Sequence, residues 1–359
     1  MIFQKDFPWD QKNFSNSVLF FDQKLLKLSP DFKKWKKRFK FCVPLSAGEK
    51  LKSLESLRHV LNSLQKICSH QSPSDIHFVA CGGGSVTDFV GFLASIYKRG
   101  VRLTFVPSTW LASIDSAHGG KTGLNFFNEK NQIGTFYSAN EIYLVESLLS
   151  SQPPERGWEA LSELVKIFLL TSPRNLKKLS LSLRPLRFVP GEILVKNKNK
   201  FNLRNTVLRN LLFKFLPVAI AAKMKIVKRD PYEKLGPRRV LNLGHTLGHV
   251  LESNLRVPHG VGVAEGIVFA LKWSVSLGIM KLGVYQKLEA EVLDLLPKIP
   301  IKTRKLRLPQ IKKSLLVDKK KTARDGVNFV FLKDIGHPQV KEVRIQQILT
   351  ECQRQDWTP

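Results

Sequence analysis

"IHFVACGGGSVTDFVGFLASIYKRGVRLTFVPS", residues 76–108, decides the fold class. It opens on a short apolar run, IHFVAC (76–81), passes through three glycines, and continues as VTDFVGFLASIYKR (86–99), whose length and apolar spacing suit a helix. RLTFVPS (102–108) is a second apolar run bounded by turn residues. Strand, helix and strand in this order describe a βαβ unit, which implies parallel strands covered by helices. The glycines at the strand-to-helix junction let backbone N–H groups approach a phosphate, where the helix N-terminus adds partial positive charge. Their spacing is not G-x-G-x-x-G, so the strand–loop–helix context carries the reading.

The same alternation extends upstream, through SVLFFD (17–22) as a strand and KLKSLESLRHVLNSLQKI (50–67) as a helix. After SSQPPER (150–156) the pattern becomes almost wholly helical: GWEALSELVKIFLL, the 205–228 stretch, a histidine-bearing helix, and VGVAEGIVFALKWSVSLGIM. Two lobes are therefore expected, an α/β lobe over residues 1–150 and an all-α lobe over 151–359, with no internal repeat. No apolar run reaches the ~20 residues that span a bilayer, and the first residues lack the layout of a signal peptide, so a cytoplasmic protein is expected. Cys42, Cys68, Cys81 and Cys352 are scattered without C-x-x-C spacing, which disfavours a thiolate zinc site or a disulfide scaffold. Lys and Arg number 58 against 29 Asp and Glu, a net charge of +29 that favours anionic partners such as phosphorylated metabolites, nucleic acid or anionic membrane. The densest basic runs, DFKKWKKRFKF (31–41) and 298–321, match no RNA-recognition or zinc-finger pattern. Nucleic acid is accordingly not the expected partner.

Three of the eight histidines fall within LNLGHTLGHVLESNLRVPHG (241–260). His245 and His249 are one helical turn apart on one face, and spacing alone nominates them as a metal-ligand pair. His259 follows Pro258 at a loop end before the next helix. Glu163 and Lys166, in LSELVKIF, share a face of another helix among apolar neighbours that suggest partial burial. One glutamate and two histidines would give the open three-ligand site of a catalytic zinc. The polar stretch STWLASIDSAHGGKTGLNFFNEKNQIG (108–134) reads as a long functional loop, with Lys121 a candidate phosphate ligand and Asp115 a candidate hydroxyl acceptor.

Taken together, AGEKLKS (47–53), GGGSVTD, YKRGVR, VPST, IDSAHGGKTGLN, EKNQIGTFY, SELVK, DPYEKLGPRRVLNLGHTLGH, PHG and VDKKK occur in order between Val18 and Gly336. In this the chain resembles the 3-dehydroquinate synthases. The resemblance implies a Rossmann-like N-terminal lobe, an α-helical C-terminal lobe, and an NAD- and zinc-dependent (or cobalt-dependent) lyase of the shikimate pathway. Such an enzyme converts 3-deoxy-D-arabino-heptulosonate 7-phosphate to 3-dehydroquinate and phosphate. The resemblance implies Glu163, His245 and His259 as metal ligands and His249 as a substrate-side catalytic histidine, against the reading from spacing. It also places Asp115, Lys121, Asn131, Lys166, Lys223, Arg238, Asn242 and one of Lys319 or Lys320 around the substrate. Arg99 would reach in from the partner subunit of a homodimer. Asp22, Glu49, Lys52, Gly83, Gly84, Asp88, Ser108, Thr109 and Lys130 fall at NAD-binding positions.

The chain departs from the family pattern at Thr87, His118, Glu129 and Val261. Glu265, one helical turn after Val261, is a candidate replacement carboxylate near the metal; the alternative is a solvent-facing helical glutamate. Rival readings are a sugar-phosphate cyclase acting on another substrate, an iron- or zinc-dependent polyol dehydrogenase, and a degenerate nucleic-acid-binding protein.

Overall fold

The computed structural model of the chain describes residues 1–7, 14, 16–127, 129–187, 198–300, 305–317 and 326–359. It divides into two compact units, Met1–Arg156 and Gly157–Pro359. The division falls beyond residue 150 because the short helix at 146–150 still belongs to the first unit: Leu148 is part of that unit's core, and the Ser147 N–H donates to the Lys5 carbonyl.

The first unit is built on strands β1 (Ile2–Gln4), β2 (Val18–Asp22), β3 (Phe41–Leu45), β4 (His77–Gly82), β5 (Arg102–Pro107) and, later, β8 (Glu141–Val145). They form one sheet in the order β1-β8-β5-β4-β2-β3, and every pairing is parallel. Side chains of a strand point alternately to opposite faces, so a sheet covered on both sides needs two cores. Both are present. Val18, Phe20, Phe78, Ala80, Leu103 and Phe105 enter one core, while Leu19, Phe21, Val79, Cys81, Val106 and Tyr143 enter the other. The second is aromatic, with Trp35 packed edge-on to Phe39 at 4.7 Å and stacked on Phe7 at 4.8 Å. Helices α1 (Leu25–Leu28) and α2 (Pro30–Lys36) lead from β2 to β3, α3 (Leu54–Cys68) from β3 to β4, and α4 (Gly84–Ile96) from β4 to β5.

This connectivity has a switch point. The chain leaves β2 toward the β3 edge, then returns to place β4 on the other side of β2. In doubly wound sheets, ligands bind beyond the carboxyl ends of the strands flanking such a reversal. Those ends are Asp22 and the Gly82–Gly84 turn.

The polar stretch 108–134 is not one long loop. It contains a wide π-type turn at Ala112–Ser116 and the antiparallel strands β6 (Lys121–Phe126) and β7 (Glu129–Phe136). Gly123 and Gly134 face each other there, so the strands pair tightly at a point where a side chain would strike backbone.

The first unit ends with α5 (Glu146–Ser150), and the second is helical, with α6 (Glu155–Thr171), α7 (Pro173–Arg187), α8 (Lys198–Arg229), α9 (His245–Leu255), α10 (His259–Ser276) and α11 (Leu282–Glu291), followed by helices at Leu308–Val317 and Ile345–Arg354. The all-α expectation is corrected in one place: β9 (Gly326–Asp334) and β10 (His337–Arg344) form an antiparallel hairpin. Its β-rich run VNFVFL packs on α10, where Phe329 meets Trp273 at 4.8 Å and the Leu332 N–H donates to Ser274 Oγ.

Glycines set how closely α6, α9 and α10 approach. A Cβ on Gly260, at the start of α10, would lie 2.1 Å from the Glu159 carbonyl oxygen of α6. On Gly266 it would lie 1.9 Å from the carbonyl oxygen of Gly244, and on Gly262 2.9 Å from that of Gly248. The helices therefore touch backbone to backbone, and no larger residue fits without displacing one of them. Gly260→Ala is expected to destabilise the protein by ~1–3 kcal/mol or more. Gly283→Ala, in α11 with nothing within 4 Å of the added carbon, should be neutral or stabilising by up to ~1 kcal/mol. Thermal or denaturant melts of the two variants check the contrast.

Candidate functional site

The close helix contacts bring together side chains distant in sequence. Glu163 lies one turn along α6 from Glu159, His245 is the first residue of α9, and His259 is the first residue of α10. One ligand-type atom from each of Glu163, His245 and His259 falls within 4.8 Å of the others. Glu163 Oε1 is 3.5 Å from His245 Nε2 and 3.3 Å from His259 Nε2. Glu163 is fully buried, and its Oε2 pairs at 2.5 Å with the Nζ of Lys166, also buried. A carboxylate oxygen and two imidazole nitrogens converging from three helices are a donor set suited to a divalent cation such as zinc.

The pair that spacing nominates is not what the structure brings to one point. His249 is exposed and lies outside the group of three, its ring centroid 5.5 Å from that of His245 and 6.5 Å from that of His259. Residues one turn apart on a helix diverge from its axis, whereas His259, on a different helix, can turn back toward His245.

The electrostatics favour positive charge at this spot. Burial opposes protonation of His259, but its hydrogen bonds to the Glu163 and Glu252 carboxylates outweigh it, and the imidazole is pushed up to about 10. The second of these carboxylates escaped the sequence reading. Glu252 Oε1 is 2.9 Å from His259 Nδ1. The available signal was its position seven residues after His245, two turns along the same face of α9.

Glu265 is not solvent-facing. It is buried, and its Oε1 accepts the Ile299 N–H at 2.7 Å, pinning the segment after α11. The solvent-facing expectation is corrected.

Lys223 and Arg238 are buried. The loop after α8 is organised by Asp230, which is buried and accepts backbone N–H bonds from Lys234 at 2.8 Å, Leu235 at 3.1 Å, Gly236 at 2.9 Å and Arg238 at 3.5 Å. Arg238 Nη1 donates to the Pro231 carbonyl, and Asn242 Nδ2 donates to Glu233 Oε1 at 3.2 Å. One folded loop thus orients two expected substrate residues. Lys319 and Lys320 lie outside the described residues.

In the first unit the expected cofactor positions gather at the switch point. Gly83 caps α4 and Gly84 begins it; a Cβ would meet Thr109 at 3.2 Å on the former and Ser116 Oγ at 3.3 Å on the latter. The turn is a bare-backbone cradle at the N-terminus of α4. The Ser108 N–H donates to the Gly82 carbonyl, and Thr109 Oγ1 accepts the Ala112 N–H at 3.1 Å. Lys52 Nζ, nearly buried, pairs with Asp88 at 2.6 Å and also donates to Asn131 Oδ1. Glu49 accepts from Asn125 Nδ2 at 2.8 Å. Burial pushes the Asp88 carboxyl above its ordinary value, more than the Lys52 ammonium lowers it. Asn131, expected beside the substrate, therefore joins Lys52 and Asp88. Lys121 and Lys130 are exposed, and Asp115 is half-buried within the π-type turn.

Two departures from the family pattern meet at that turn. His118 is buried and its Nε2 donates to the Ser113 carbonyl at 2.9 Å. Thr87 Oγ1 donates to the Gly84 carbonyl and lies 3.3 Å from Ser116 Oγ. Both act as side-chain braces on the backbone carrying Asp115. Arg99 is exposed on a turn with three successive left-handed residues, Lys98 (φ 46°), Arg99 (φ 69°) and Gly100 (φ 120°). Lys98 Nζ latches this turn by donating to the carbonyls of Cys68, Ser69 and Gln71 at the end of α3.

Among the described residues no helix is long and apolar enough to cross a membrane, and all four cysteines are free thiols.

The fold is that of the sugar-phosphate cyclases. The solved 2-deoxy-scyllo-inosose synthase complexed with carbaglucose-6-phosphate, NAD+ and Co2+ matches with a TM-score of 0.75 at 23% identity, covering 94% of this chain and 90% of that one. The 2-epi-5-epi-valiolone synthase of Streptomyces hygroscopicus, solved with NAD+ and Zn2+ bound, gives 0.78 at 18% identity, with 98% and 96% covered. An iron-containing alcohol dehydrogenase from Thermotoga maritima is more distant, at 0.55 and 16% identity over 96% and 92%. Family models narrow the class. The 3-dehydroquinate synthase N-terminal model matches residues 42–159 and the C-terminal model residues 161–321, so the chain belongs to the 3-dehydroquinate synthase family. The enzyme of that name from Thermococcus kodakarensis is 34% identical over 305 residues, 84% of this chain and 77% of its own length. The chain spans 64% of the Saccharolobus solfataricus relative, at 36% identity over 248 residues and 68% of this chain.

Asp230 supplies a pH test of the loop that carries Arg238. Burial pushes its carboxyl up, but the backbone N–H bonds from Leu235, Lys234, Arg238 and Gly236 prevail and hold it below its ordinary value. A lowered native value stabilises the fold above the unfolded pKa of ~3.9, and that contribution disappears as pH falls through the lower native value. Asp230→Asn should therefore melt at lower temperature than the parent at pH 7. The gap should narrow below about pH 4, as read from melting temperature against pH.

Proposed function

We propose that the chain catalyses the 3-dehydroquinate synthase reaction, the conversion of 3-deoxy-D-arabino-heptulosonate 7-phosphate to 3-dehydroquinate and phosphate, as a cytoplasmic homodimer. The observation that carries this reading is the buried convergence of Glu163, His245 and His259, with the Lys166 ammonium against Glu163. It is supported by family membership and by the glycine cradle at the switch point of the parallel sheet.

The residues fit both groups the reaction requires. Glu163, His245 and His259 would hold the divalent metal, since they offer one hard oxygen and two imidazole nitrogens and leave coordination positions open. The Gly82–Gly84 turn and the N-terminus of α4 would receive the NAD pyrophosphate, with Asp22, Glu49, Lys52, Asp88, Ser108, Thr109 and Lys130 around it. When bound, NAD would take a hydride from the substrate and later return it, while the metal would polarise the oxygen being oxidised.

The chain's own side chains supply charge, orientation and proton handling. Lys166, Lys121 and Arg99 are cationic partners for the departing phosphate, Arg99 reaching the site of the partner subunit. Lys223 and Arg238, both buried, suit the substrate carboxylate. Asn242, held by Glu233, and Asp115, on its braced turn, are oriented for substrate hydroxyls. His249 sits outside the ligand triad on α9 and carries a proton on a ring nitrogen during phosphate departure. Holding the acyclic intermediate in a folded shape then favours closure of the ring.

Phosphate release from the heptulosonate is expected with substoichiometric NAD over many turnovers, and a chelator should abolish it. Steady accumulation of NADH would instead mark a polyol dehydrogenase, and no phosphate release from metal- and NAD-supplied protein would sink the proposal. His245→Ala should lose the metal. His249→Ala should keep it while kcat falls by ~10²–10⁴-fold. Metal analysis showing the reverse pattern would overturn the assignment of ligands.

A further inference from the structure

The two imidazoles that face Glu163 are tied in the same way. His245 Nδ1 lies 3.2 Å from the Leu243 carbonyl oxygen, and His259 Nδ1 lies 2.9 Å from Glu252 Oε1. A carbonyl or an ionised carboxylate can only accept, so in each ring Nδ1 is the donor. Neutral imidazole has one N–H. When a cation takes the place of the second proton, the other nitrogen, Nε2, would present a lone pair to it, and in both rings Nε2 is the atom turned toward Glu163 Oε1.

We propose that Glu252 is a positioning residue for the metal: it fixes the tautomer and ring orientation of His259 so that Nε2 meets the cation. This rests on the reading of Glu163, His245 and His259 as the ligands. The carboxylate does for His259 what a backbone carbonyl does for His245, and it raises the basicity of the ring it holds. Room for it is built into the helix contact. Glu252 packs against Gly262 of α10, where a Cβ would lie 3.3 Å from Glu252 Cγ. Glu265, a buried carboxylate farther along α10, has an oxygen committed to the Ile299 N–H. In this role Glu252 acts through His259.

The test measures Zn2+ affinity by competition with a chromophoric chelator, on metal-stripped parent, Glu252→Gln, Glu252→Ala and His259→Ala. Each metal-free protein is melted alongside. Glu252→Ala should bind Zn2+ ~10–100-fold more weakly than the parent. Glu252→Gln, which keeps an acceptor oxygen but loses the charge, should fall between them. Metal-free melting temperatures should stay close to the parent's, while Co2+-loaded variants should show a shifted visible absorption band. Should Glu252→Ala fail to fold, the near-isosteric Glu252→Gln carries the comparison. Affinity unchanged in Glu252→Gln and Glu252→Ala, with loss in His259→Ala, would overturn this inference and leave the ligand reading intact. A metal-free melting loss as large as the metal-loaded one, without weakened affinity, would make Glu252 a structural residue only. A parent that binds no Zn2+ would remove the ligand reading and this inference with it.

Discussion

Backbone contact between helices is the constraint on which the convergence of Glu163, His245 and His259 depends. Where Gly260 meets Glu159, and Gly266 meets Gly244, main chain lies against main chain with no side chain between them. Ordinary helix packing separates axes by 8–10 Å, according to the side chains at the contact. Removing those side chains brings α6, α9 and α10 close enough for one residue on each to share a point. His245 immediately follows Gly244 and His259 immediately precedes Gly260, so the closest contacts and the ligand-type groups are adjacent in sequence. The geometry of the triad is therefore inherited from main-chain sterics, which are stiffer than any rotamer preference.

The first unit reaches its site by a different route. A parallel sheet buries both faces, and the alternation of Val18–Phe21 and Phe78–Cys81 between two cores leaves no face for polar chemistry. Polar groups can gather only at the strand ends. The reversal of strand order around β2 and β4 opens such an end, and the Lys52, Asp88 and Asn131 cluster closes around it. Asp88 lies against a buried lysine, which only partly offsets the burial that disfavours its ionisation. A ligand that approaches this cluster meets groups already paired with each other, so binding must exchange those bonds rather than fill vacant ones.

Much of this was legible in the sequence, for identifiable reasons. The βαβ pattern of 76–108 is a local signal, since strand length, helix length and the glycine turn are all read within thirty-odd residues, and the observed β4, α4 and β5 lie within it. Long-range contacts were not local. Glu252 is an ordinary helical glutamate until His259 folds back onto it, and Lys98 is an ordinary surface lysine until the end of α3 arrives. Periodicity misled at His249, because one-turn spacing gives a shared face but not a shared point. The hairpin at 326–344 was submerged in a helical pattern, although its run of Val and Phe is strand-like. Glu265 shows the same limit: facing inward was readable as a possibility, but its partner, Ile299, lies 34 residues on.

The latch at Lys98 joins two features that look unrelated in the sequence. Successive left-handed residues other than glycine each cost ~1–3 kcal/mol and persist only where their surroundings impose them. Here one ammonium group imposes the turn and also closes the carbonyl end of α3. The exposed arginine beside it is thus aimed by stored conformational energy rather than by contacts of its own. A side chain aimed in this way loses little rotational freedom of its backbone when it meets an anion. The entropic cost of such an encounter is met during folding, when the carbonyl end of α3 takes hold of Lys98.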